Sequence, residues 1–115
     1  MNIFQLAKLC YESTQAFSEI MECKVRTPWE QLDEDSRNIV IEIITEVRVL
    51  HDPTTTPYDV HEIWMKVSSR YGWSYGKTKS KELKTSPCFV NYTQLSEIEK
   101  TKDKIVLSLV KAVKD

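Results

Sequence analysis

Glycine is nearly absent from this chain: Gly72 and Gly76 are the two in 115 residues. Without a glycine-rich cradle, a Walker-type phosphate loop is excluded. Cysteine is also sparse. Cys10, Cys23 and Cys88 are an odd number at wide, irregular spacing, which builds neither a disulfide framework nor a CxxC zinc pair. Neither sign of charge dominates, with 16 Lys and Arg against 17 Asp and Glu and a net charge of -1. No global field therefore draws the protein to a nucleic-acid polymer or an anionic membrane, and a basic site has to be local. No apolar run approaches the roughly 20 residues of a membrane span. The opening MNIFQLAKLCYES carries no Lys or Arg ahead of its apolar residues, so it reads as helix rather than signal peptide, and the cytoplasm is the expected compartment.

What is present is a regular alternation of helix signals. The length suits one domain, 1–115, with one core, and 41% hydrophobic with 10% aromatic content is too rich for a disordered chain. After Asn2, a good N-cap, Ile3, Leu6, Ala7, Cys10, Thr14, Phe17 and Met21 recur at the three-four spacing of one helical face. Thr27-Pro28-Trp29-Glu30 reads as a helix start or a loop anchor. Asp33-Glu34-Asp35-Ser36 places acids and a cap before the stripe Ile39, Val40, Ile43, Ile44, Val47 and Leu50.

Pro53 stops that helix, and Thr56-Pro57-Tyr58-Asp59 starts a third whose apolar face is Val60, Ile63, Trp64, Val67 and Tyr71, with Gly72 placed to end it. Trp73-Ser74-Tyr75 and Cys88–Tyr92 are strand-like on either side of a lysine-rich loop, and a short hairpin between them is expected. Ser96-Glu97-Ile98-Glu99 is a capping box for a last helix with the stripe Ile98, Ile105, Val106, Leu109, Val110 and Val113. The predicted fold class is mainly α with a small β-hairpin.

The most distinctive residues follow the third helix. Gly72-Trp73-Ser74-Tyr75-Gly76, then Pro87-Cys88-Phe89-Val90-Asn91-Tyr92-Thr93-Gln94-Leu95, with His61-Glu62-Ile63-Trp64 upstream, resemble the signature of the Ryr domain, the repeat module named after ryanodine receptors. Cys10 and Glu12, Trp29-Glu30, Arg37, Asp52-Pro53 and Thr56-Pro57 fit the same pattern, as do Lys100 or Lys102 with Asp103, so the resemblance runs from about Leu6 to Val110. The sequence departs from the pattern at Tyr11, Ser80 and Ser86, where a histidine, an acid and a histidine are common. The resemblance implies antiparallel helices beside short strands, a single-copy module of the bacterial or phage type, and a homodimer in place of the neighbour that tandem repeats supply. Channel activity is not implied, since function does not travel with fold.

The candidate ligand-binding residues are His61, Trp64, Trp73, Tyr75, Lys77, Lys79, Lys81 and Lys84. Aromatic faces can stack on a planar base at about 1–3 kcal/mol each, and lysines can hold a phosphate by charge-assisted hydrogen bonds. Together they are the minimal pieces of a pocket for a nucleotide-type small molecule, and the resemblance adds purine-type ligands at the aromatic cleft of paired Ryr repeats. The competing reading makes Trp64 a core residue on the stripe of Val60 and Val67, and the lysines a solvated loop. His51, Asp52, His61 and Glu62 have the wrong spacing for a metal, with Pro53 and Pro57 between the histidines and no HExxH. No cofactor is expected. No motif pairs a nucleophile with a base, so a non-enzymatic binding module is expected, with a structural or protein-interaction domain as the alternative.

Overall fold

The computed structural model describes residues 1–24 and 26–113; Val25 and the last two residues of the expected 1–115 domain lie outside the described residues. Four helices carry the fold: α1 (Ile3–Glu22), α2 (Glu34–Leu50), α3 (Pro57–Arg70) and α4 (Glu97–Ala112). Single 3-10 turns at Trp29–Gln31 and Tyr92–Gln94 precede α2 and α4.

The capping chemistry sets the helix starts. Asn2 accepts from the Gln5 amide while Gln5 returns a bond to the Asn2 amide, and Asp33 accepts from the Ser36 amide at 2.7 Å. Thr56 and Asp59 form the third cap with Pro57 at the first helical position, and Ser96 accepts from the Glu99 amide. Each cap satisfies an orphan amide that would otherwise face water alone.

The helices run up and down. Lys66 pairs with Glu46 at 2.7 Å and Arg70 with Glu42, which fixes α2 against α3 in opposite directions. Lys102 near the start of α4 reaches Glu22 at the end of α1. The enclosed core joins Leu6, Ile44, Val47, Val60, Val67 and Val110, one or more from each helix. Fully burying such a side chain contributes about 1.5–3 kcal/mol, so the stripes bind the bundle more than the surface pairs do. Two predicted stripe residues, Met21 and Leu50, are exposed because they lie in the last turn of their helices.

The fold class is as expected, but the strands pair differently. β1 (Ser74–Tyr75) lies parallel to β2 (Thr85–Ser86), in register Ser74 to Thr85 and Tyr75 to Ser86, so there is no simple hairpin. The chain reverses through Ser80 and Thr85, whose backbones exchange two 3.0 Å bonds, and this extra turn brings β2 in beside β1 in the same direction. The Cys88–Tyr92 segment is not a strand. Phe89 bonds back to Ser86 and Val90 to Cys88, a run of tight turns after Pro87, and the Val90 carbonyl is taken by a side chain from α3.

Candidate functional site

The end of α3 positions the distinctive residues. Gly72 sits at φ +91, and the Trp73 and Gly72 amides bond to the Ser68 and Ser69 carbonyls, the paired bonds of a Schellman ending. That turn throws Trp73 and Tyr75 out of the bundle. Gly76 then allows the strands to touch: a Cβ there would meet the Thr85 Cβ at 2.5 Å. Trp73 is half-buried and Tyr75 is 56% exposed, and neither ring has an aromatic partner among the described residues.

His61 and Trp64, one turn apart on α3, have a different setting. His61 is 3% exposed and its Nε2 lies 2.7 Å from the Val90 carbonyl. Its ring stacks on Trp64 at 5.6 Å and 12°, and Trp64 meets Phe89 at 4.8 Å. Tyr92 and Tyr58 extend the cluster. These rings tie the 88–92 turns to α3, which is structural work.

The four lysines do not converge. Lys81 pairs with Asp33 at 2.6 Å, and that bond with the Ser36 contacts holds the Asp33 carboxyl well below the usual range. Lys84, at φ 54, donates to the Tyr71 carbonyl at 2.9 Å across Gly72. Lys79 is exposed as a residue, yet the protein crowded around its ammonium lowers its pKa, helped by the positive charge of Arg26. Lys77 is exposed and makes no ion pair among the described residues. Of the eight candidate residues, the structure brings His61 with Trp64, and separately sets Trp73, Tyr75 and Lys77 on the β1 side.

Sequence reasoning missed Asp103, a half-buried acid whose Oδ2 is enclosed. Burial first, then the nearby Glu99 charge, push its carboxyl up to about 7 against the opposing pull of Lys102, and its Oδ2 has no partner among the described residues. The signal was in the α4 stripe: stepping back from Val110 and Leu107 by helical spacing lands on Asp103. Ser18 Oγ on α1 is likewise buried without a partner among the described residues.

Elsewhere, a cleft of about 360 Å³ opens between the end of α2 and the start of α3, floored by Val47, Leu50 and Ile63 and rimmed by Asp52, Asp59 and Glu62. No candidate ligand residue lines it. Among the described residues no group of His, Cys, Asp or Glu is placed to hold a metal ion, and no helix is long and apolar enough to cross a membrane.

Four antiparallel helices, a two-residue parallel strand pair and an aromatic lock between α3 and the turns before α4 define a small, mainly helical module. The chain belongs to the RyR domain family: the family's sequence model matches residues 54–113, more than half of the chain, from the loop before α3 to the end of α4. That span contains the aromatic lock, both strands and the lysine loop, whereas Cys10, Trp29-Glu30 and Arg37 lie ahead of it.

Proposed function

We propose that this RyR-type module binds rather than catalyses, and that it takes a nucleotide-type ligand, an adenine nucleotide or an ADP-ribose-like molecule, on the surface of Trp73, Tyr75 and Lys77. The observation that carries this reading is the exposed Tyr75 ring beside a half-buried Trp73, with no aromatic partner for either ring and no ion pair for Lys77 among the described residues. Stacking needs such open faces, and the unpaired ammonium suits a phosphate. His61 and Trp64 stand apart from this surface and fasten the 88–92 turns to α3.

The cysteines favour a non-catalytic role. Burial pushes the Cys10 thiol up to about 12 and also raises Cys88, so neither is a ready nucleophile. In this reading the protein is a single-copy, cytoplasmic module of the bacterial or phage type, with a second copy as its partner. The alternative, an interaction domain with no small ligand, is favoured by the packing of Trp64 between His61 and Phe89, which closes the deepest aromatic face to a ligand.

Calorimetric titration with a panel of adenine nucleotides and ADP-ribose tests the ligand. Heat is expected with at least one member, with Tyr75→Ala weakening it about tenfold or more at unchanged melting temperature. No heat with any member would overturn the proposal.

A further inference from the structure

The lysine loop ends in a feature that ligand binding does not use. Leu83 is 76% exposed, yet its surroundings are stiff. Ser80 and Thr85 close the loop with two backbone bonds, the Leu83 amide bonds to Ser80 Oγ at 3.2 Å, Lys81 is tied to Asp33, and Lys84 to the Tyr71 carbonyl. A large apolar side chain is thus held out on a fixed support, the state in which little ordering entropy remains to be lost on docking. In sequence Leu83 follows Lys77, Lys79 and Lys81 and precedes Lys84, with Glu82 the one acid of the loop.

The cleft between α2 and α3 has the complementary character. Its floor is Val47, Leu50 and Ile63, and Leu50 is itself an exposed leucine. Its rim carries Asp52, held by Thr54, and Asp59, held by Thr56, so both charges are fixed in place. Glu62 makes no ion pair among the described residues, and Lys111 donates to the Thr55 carbonyl rather than to an acid. Knob and cleft lie at opposite ends of α3, whose 14 residues span about 21 Å, so one copy does not fill its own cleft.

We propose that the chain self-associates by seating the Leu83 knob of one copy in the acidic-rimmed α2–α3 cleft of another. Apolar tip meets apolar floor while lysines meet the carboxylate rim. Reciprocal seating closes a two-fold pair, and single seating propagates head to tail. This gives the second copy of the proposed function its interface, and it stands without the nucleotide.

Sedimentation velocity of the full chain over a range of concentrations tests it. Wild type is expected to associate, less so at high salt because exposed charges are screened. Leu83→Asp and Glu62→Lys, both at exposed positions, should each weaken association roughly tenfold or more with unchanged circular dichroism. Mixing the two variants restores one intact knob and one intact cleft, so a 1:1 heterodimer should form. A wild type that stays monomeric overturns the proposal, as does association that either variant leaves untouched or a mixture that stays monomeric. None of these outcomes depends on nucleotide.

Discussion

The imidazole of His61 lies almost parallel to the Trp64 indole, 5.6 Å between centroids, while its Nε2 meets the Val90 carbonyl at 2.7 Å. One buried side chain thereby fastens the turns before α4 to the face of α3, across 29 residues of sequence.

Replacing it should be costly. His61→Ala removes a buried hydrogen bond, orphans the Val90 carbonyl and leaves a cavity against Trp64, for an expected loss of about 2–4 kcal/mol. Urea denaturation reads this directly, and a loss below 1 kcal/mol, on the order of a surface substitution, would mean the lock is not under tension from both sides.

Gly76→Ala drives a Cβ into Thr85 and should destabilise by about 1–3 kcal/mol. Because the obstructing atom is the Thr85 Cβ itself, Thr85→Gly should recover part of the loss and Thr85→Ala should not. Gly72→Ala acts through backbone strain at φ +91 instead, costing about 1–2 kcal/mol, and no neighbouring substitution should rescue it.

Asp103 should make stability fall as pH rises. Its folded pKa, about 7, lies above the ordinary 3.8, so between these values the folded protein holds more protons than the unfolded chain. The stabilisation is fully present below about pH 4 and is lost through pH 7, by at most about 1.4 kcal/mol per pH unit. Asp103→Asn should flatten that slope in thermal melts recorded from pH 4 to 8. An unchanged slope would show that the carboxyl is solvated.

Thiol labelling should separate the cysteines. Cys23 is exposed and should react at once, whereas Cys10 is enclosed in the core with its thiol pushed up to about 12 and should react only as the molecule opens. Rapid labelling of all three thiols at pH 8 would contradict the buried position of Cys10.

Asp33 has two tasks and Lys81 one. Asp33→Ala loses the α2 cap as well as the ion pair and should cost about 1 kcal/mol, while Lys81→Ala, at an exposed pair, should cost less than that. Equal losses in chemical denaturation would place the whole effect in the salt bridge.

The helices were legible because their signals are local. Asn2, Thr56 and Ser96 act as caps where the sequence put them, and the cap expected within Asp33-Glu34-Asp35-Ser36 falls on Asp33. The site was legible only in part. Spacing placed Trp64 on the stripe of Val60 and Val67, but its stack with His61 and Phe89 depends on a turn 25 residues away. The lysines formed one group in sequence and separate into different neighbourhoods in space, because Asp33, the Tyr71 carbonyl and Arg26 reach the loop from other elements.

By itself, then, the sequence determined four capped amphipathic helices, a glycine-ended α3 and a chain of the RyR pattern, since caps, periodicity and positive-φ glycines are settled within a few residues. Tertiary structure alone decided that the strands pair in parallel, that Cys88–Tyr92 coils against His61 instead of extending, and that the loop lysines part to different neighbours. Each of these depends on contacts between distant segments, where the energy of a hydrogen bond or a buried charge is set by the neighbour that arrives and not by the residue's place in the chain.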